Sequence, residues 1–181
     1  TIDAPDVTVK NLSVKTTAGA GNAVRGVDTD ANATNLHIDS VTVRNSDDRG
    51  ILINDGSNNV VGNVVVEACD FSGISLRTPN STAHSCNISS TGQNGISIAG
   101  DNVIVSGNVV SNSANIGVAM GASNDCIILS NRIIGSGNHG IDLGGTDNII
   151  GNNRVSDSTN TNIEDGGTGT VLDGNPTGPS N

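Results

Sequence analysis

Asn138-His139-Gly140-Ile141-Asp142-Leu143-Gly144 is one copy of a phrase that recurs along this chain, a glycine followed by an apolar, a variable and an apolar residue. Fuller copies are Gly50-Ile51-Leu52-Ile53, Gly73-Ile74-Ser75-Leu76, Gly95-Ile96-Ser97-Ile98 and Gly117-Val118-Ala119-Met120, with looser ones at Gly26-Val27-Asp28 and Asn162-Ile163-Glu164-Asp165. The leading residues 26, 50, 73, 95, 117, 140 and 162 are separated by 24, 23, 22, 22, 23 and 22. A fixed period of this size decides the architecture before any local propensity is weighed. The copy at Gly140 differs in kind, because it carries an acid where the others carry Leu52, Ser75, Ser97 and Ala119.

Outward from that phrase, a full repeat contains three short apolar runs, as in Gly117-Val118-Ala119-Met120, Cys126-Ile127-Ile128-Leu129 and Arg132-Ile133-Ile134. The turns between them leave no room for a helix. Each run resembles the run one repeat earlier and not its immediate neighbour, so it is predicted to pair in parallel with its own copy. The chain then winds as a coil, level on level at ~4.8 Å, about seven coils in a rod roughly 30–35 Å long. The recurrent Asn63, Asn108, Asn131 and Asn152 fit bends, where Asn tolerates left-handed geometry and can stack into amide ladders. The leading glycines fit turns that need positive φ or close approach.

Composition agrees. Of 181 residues, Phe71 is the lone aromatic, whereas Gly numbers 24 and the apolar residues are mostly Val, Ile and Leu. That favours many strands and tight turns over an aromatic-filled core. Residues 5–15 alternate as a strand, and 16–25 and 28–35 read as surface loops. A net charge of −10 with only eight Lys and Arg argues against nucleic acid and against an anionic membrane surface. No apolar run approaches a membrane span. Cys69, Cys86 and Cys126 fall at different points of the repeat with no CxxC spacing, and are expected to be buried free thiols.

The Gly-Ile-x-Ile phrase, the Asn-x-Ile-x-x-Asn pattern and the short Asn/Ser/Gly turns resemble the right-handed parallel β-helix repeat proteins of the pectin-lyase-like superfamily, over residues 5–172. The stretch 148–175 is similar to the last coils of tailspike-like and related polysaccharide-processing proteins. This resemblance implies a single-stranded right-handed β-helix over 1–172, a polar tail at 173–181, polysaccharide as partner, and a place outside the cell, at a cell surface or on a virion. It does not carry over catalytic residues. The Arg-x-x-Pro-x-x-Arg of pectate lyases and the Asp-Pro-His-Glu of alginate epimerases are absent, and the isolated Asp47-Asp48 does not match the polygalacturonase set.

A candidate site therefore rests on the coil alone. In Gly-apolar-x-apolar the flanking residues point inward and the middle one outward. The outward column is Leu52, Ser75, Ser97, Ala119, Asp142 and Glu164. Asp142 and Glu164 are expected on adjacent coils, where mutual repulsion can divide a carboxylate pair into acid and base. His139 and Asp165 lie beside them in sequence, and Arg77 follows the Ser75 strand as a partner for an acidic sugar. Asp142, Glu164 and His139 are thus the catalytic candidates, with Ser75, Arg77, Ser97 and Asp165 as substrate-binding candidates. The same spacing suits glycoside hydrolysis or a divalent cation such as Ca²⁺, with no other cofactor implied. His37, His84, Asp28, Asp30, Asp47 and Asp48 are read as solvated or structural.

Sugar clefts commonly stack rings on Trp or Tyr, and the chain has neither. Two readings therefore stand together: a β-helix that binds and cleaves a polysaccharide as hydrolase or lyase, and a non-catalytic attachment rod. Neither end reads as a cap, so a homotrimer or a larger parent chain is expected to cover the coil ends.

Overall fold

The repeat's three apolar runs become three short strands per coil, each hydrogen-bonded in parallel to its copies one coil away. The computed structural model describes residues 1–15, 27–29 and 33–175. Its first sheet has eight strands, from Thr8–Lys10 to Val171–Asp173. The second has seven, from Ser13–Lys15 to Arg154–Ser156, and the third has seven, from Val27–Asp28 to Ile163–Asp165. The fold is an all-β parallel solenoid, as the period predicts. The loop expected at 16–25 lies outside the described residues, as do residues 30–32 of the one expected at 28–35 and most of the 173–181 tail. Regular structure continues past residue 172, since the last strand ends at Asp173 and Asn175 still bonds the coil before it. Among the described residues no helix is long and apolar enough to cross a membrane.

The interior is built from columns. Ile51, Ile74, Ile96, Val118 and Ile141 stack as register partners, and Ile53, Leu76, Ile98, Met120 and Leu143 form the next column, all buried. Each fully buried aliphatic chain contributes roughly 1.5–3 kcal/mol, so core stability grows coil by coil.

The structure separates the recurrent asparagines into two neighbouring columns with different work. Ser40, Asn63, Ser85, Gly107, Ser130 and Asn152 occupy the left-handed bend, with φ between 53° and 64°. The residue after each bend turns inward, and there Asn108, Asn131, Asn153 and Asn175 form the ladder. Asn131 Oδ1 accepts from the Asn108 backbone N–H and side-chain amide, both at 2.9 Å, while its own Nδ2 donates to Val105 O and to Asn153 Oδ1. Asn63 belongs to the exposed bend column, and its amide instead donates to Asp39 Oδ1 at 2.7 Å. That bond, with one from Ser40, holds the Asp39 carboxyl below its usual range.

Close approach, not positive φ, explains the leading glycines. A Cβ on Gly117 would overlap Ile133 Cγ2 and stand 2.5 Å from the Gly140 carbonyl oxygen. Cys69, Cys86 and Cys126 are buried free thiols. Burial pushes Cys69 and Cys86 up to about 11 and Cys126 in the same direction. Asp48 departs from its reading as a solvated loop acid: it is buried and pairs with Arg49 at 2.9 Å, whose guanidinium lies 5.2 Å from the Phe71 ring centre.

Asn131→Ala removes a ladder rung and leaves the buried Asn108 N–H and one of its side-chain amide protons without an acceptor, so urea unfolding should show a loss of about 2 kcal/mol or more, an unsatisfied buried group costing roughly 1–3 kcal/mol. Ser130→Gly, one residue away in the bend, should change stability by less than about 1 kcal/mol. The thiols give a second expectation. Their folded pKa values lie above the ordinary thiol value of 9.0, so their contribution to stability is full below that pH and is lost as pH rises toward about 11. The melting temperature should fall across that alkaline window, and less steeply in a Cys69→Ala/Cys86→Ala variant.

Candidate functional site

The third sheet presents its outward column in register: Leu52, Ser75, Ser97, Ala119, Asp142 and Glu164 are successive partners. Asp142 and Glu164 thus meet on adjacent coils, as the spacing predicts. Their surroundings grade along the rod. Leu52 and Ser75 are only 2% exposed, whereas Ser97, Ala119 and Asp142 are half-buried and Glu164 is exposed. Alternation sets which way a side chain points but not whether something lies over it. Ser75 is therefore withdrawn as a solvent-facing contact, and Ser97 is kept.

His139 stands at the edge of the Asp142 strand, in the corner that precedes the leading glycine. Its Nδ1 is hydrogen-bonded to Thr161 Oγ1, and Thr161 Oγ1 donates to Glu164 Oε2 at 3.2 Å. A hydroxyl has one proton, so when Thr161 donates to Glu164 it accepts from His139 Nδ1–H. In the tautomer that carries this proton, Nε2 holds the free lone pair. Thr161 was missed in the sequence. Its signal was available in the repeat, because 139 and 161 each precede a leading position and so stack one coil apart.

The same corner carries amides along the rod: Asn115 Nδ2 donates to Asn94 Oδ1 at 3.2 Å, and Asn160 Nδ2 to Asn138 Oδ1. On the opposite side of the column the strands are followed by Ala99, Gly121, Gly144 and Gly166. A wall of Asn, His and Thr therefore faces a shelf without large side chains, with Ser97, Asp142 and Glu164 on the floor. Such a surface can hydrogen-bond a long polar ligand and present it to two carboxyls and an imidazole.

Two candidates are not brought into this arrangement. Asp165 is the register partner of Leu143, so it continues an inward column. It is exposed because the described solenoid ends there, and its Oδ1 accepts from Gly167 N–H at 3.0 Å. Its register position is therefore inward, apart from the outward floor of Ser97, Asp142 and Glu164. Arg77 is exposed and bonds Asn54 Oδ1 at 3.2 Å. It lies three coils from Asp142, roughly 14 Å away along the rod. Among the described residues no group of three or more His, Cys, Asp or Glu could hold a metal ion. Asp142 and Glu164 would thus offer Ca²⁺ two carboxylates without a third donor of these types, and no chemical step is assigned to a metal.

A family model described as the right handed beta helix region matches residues 61–179, and the chain belongs to that family. A double mutant of the periplasmic alginate epimerase AlgG superposes with a TM-score of 0.80 at 15% identity, over 95% of this chain and 46% of that one. The enzymatically active domain of bacteriophage CBA120 tailspike protein 2 gives 0.76 at 14%, over 98% and 32%. The A-module of Azotobacter vinelandii mannuronan C-5 epimerase AlgE4 gives 0.59 at 14%, over 97% and 62%. The chain thus spans less than two thirds of each, and at these identities the likeness concerns the fold. No curated protein matches the chain in sequence.

In this 181-residue chain Asp165→Leu should raise concentration-dependent light scattering above that of the parent, because it replaces an exposed charge by apolar surface in register with Leu143. Unchanged scattering would contradict that placement.

Proposed function

We propose that this β-helix binds a polysaccharide along the outward face of its third sheet and cleaves it at Asp142 and Glu164. The observation that supports this most is the hydrogen-bonded chain His139–Thr161–Glu164 beside Asp142, on a face with a polar wall and a flat shelf. The named relatives in fold, alginate epimerases and an enzymatically active tailspike domain, make a polysaccharide the natural ligand class to test. Such a ligand is met outside the cell, at a cell surface or on a virion.

Adjacent coils hold the backbones of Asp142 and Glu164 about 4.8 Å apart, so both side chains can flank one glycosidic bond, the arrangement that glycoside hydrolysis requires of its carboxyl pair. One carboxyl in its acid form donates its proton to the departing glycosidic oxygen while the other, as carboxylate, attacks the anomeric carbon, and water then hydrolyses the glycosyl intermediate. Thr161 fixes the orientation of both Glu164 and His139. On an acidic glycan, His139 Nε2 would instead be the base that removes the C5 proton beside the uronate carboxyl; the C4–O glycosidic bond then breaks as the C4=C5 double bond forms, and the leaving oxygen takes a proton from a carboxyl of the pair, the lyase course. Ser97 and the Asn115, Asn138 and Asn160 amides hold the chain on the shelf.

The absence of Trp and Tyr favours the second reading, in which the same face holds a glycan without cleaving it, as part of an attachment rod. Incubation with a panel of acidic and neutral bacterial polysaccharides separates them. New reducing ends are expected, and ultraviolet absorbance by an unsaturated product distinguishes lyase from hydrolase. Asp142→Asn and Glu164→Gln should each lower turnover by about 10²–10⁴-fold, with the melting temperature unchanged within about 2 °C. Binding without turnover assigns the rod reading, and full activity in both variants removes this pair from the chemistry. Activity that survives EDTA excludes a required Ca²⁺.

A further inference from the structure

The first sheet has a different outer face. Of the six large apolar side chains left exposed among the described residues, Ile104, Ile149 and Val171 point outward from it, at 38%, 44% and 54% exposure. With half-buried Ile127 they form one unbroken register column, Ile104–Ile127–Ile149–Val171. Leu129 widens it, folded against Gly151, where a Cβ would come within 2.9 Å of its Cδ2. A contiguous apolar stripe on an aromatic-poor chain of net charge −10 is the kind of surface that marks a contact.

The stripe's two borders carry opposite charge. Asp101, Asp125 and Asp147 stand exposed in the turns that precede its strands. Arg132 and Arg154 stand exposed just beyond the opposite edge and are register partners of each other. Two like charges stacked on neighbouring strands cost stability unless something answers them. Neither arginine has an ion-pair partner among the described residues.

We propose that this face joins copies of the same chain with their solenoid axes parallel and their coils level, around a rotation axis running along the rods. The charge pattern selects that arrangement. A rotation about an axis parallel to the rods brings the acidic border of one copy against the arginine border of the next, at matching height. Turning one rod end for end sets acid against acid and arginine against arginine. The isoleucine columns then pack against their own copies, and the third-sheet face stays on the outside with its carboxylates accessible. The contact is independent of the carbohydrate reading, since it uses another sheet and other residues.

Sedimentation of the full chain at low salt tests it, with far-UV circular dichroism as the check on folding. The expected result is a species of two or more chains that becomes monomeric in Ile127→Asp/Ile149→Asp. Arg132→Glu/Arg154→Glu should weaken association by about tenfold or more, and adding Asp125→Arg/Asp147→Arg should restore it. Association untouched by the isoleucine substitutions would move the contact to the open coil ends and overturn the proposal. So would a wild-type monomer, including one that associates only when residues 176–181 are removed, since the tail would then cover the stripe. Charge swaps that weaken binding without mutual rescue would overturn the parallel arrangement.

Discussion

Coil-to-coil hydrogen bonding is the constraint on which everything else in this molecule depends. Each strand satisfies its backbone groups on the strand one coil away, so every coil must return to the same point after 22 to 24 residues. Given that return, equal positions stack into columns. The isoleucine columns, the left-handed bends and the buried amide ladder are then consequences of one condition. A single added residue in a strand would turn an apolar column outward. The ladder shows how strictly the return is held. Asn108, Asn131 and Asn153 each complete the hydrogen bonding of the coil beside them, and none can do so unless its neighbour is level.

Stacking also gives the outside its chemistry. A repeat places the same kind of residue at the same place in every coil, so a functional surface must come from departures. On the third sheet the departures are Asp142 and Glu164 on the floor and His139 and Thr161 at the corner. On the first sheet they are Ile104, Ile127, Ile149 and Val171, in a column that begins with Thr8 and His37. One face becomes polar and titratable and another apolar with charged borders, both on the same rigid frame. A rigid frame suits a polysaccharide, because it fixes donors at the coil spacing and costs little ordering when a stiff ligand binds.

Most of the fold was legible because its signal is periodic. The leading positions, the three strands per repeat and the inward columns all follow from counting, and the register of Asp142 with Glu164 was read the same way. What escaped depends on what lies over a residue or how far it stands from the end of the stack. Ser75 points outward but is covered. Asp165 occupies an inward position yet is exposed because the described coils stop beside it. Asn63 and Asn131 look alike in sequence, but they stand one position apart in the bend, one in the left-handed residue and the other turned into the core. Thr161 drew no attention because a single Thr among many Thr and Ser residues has no chemical signature. It matters only because His139 lies directly beneath it and Glu164 is within reach.

The central claim is that the third-sheet face is where a glycan lies. Isotope-labelled chain titrated with oligosaccharides from acidic and neutral polysaccharides, followed by NMR, tests it most directly. The expected result is saturable shift changes at Ser97, Ala119, Asn138, His139, Asp142 and Glu164, with the first sheet silent. Shifts centred on Ile104, Ile127 and Ile149, or no shifts with any glycan, would contradict it.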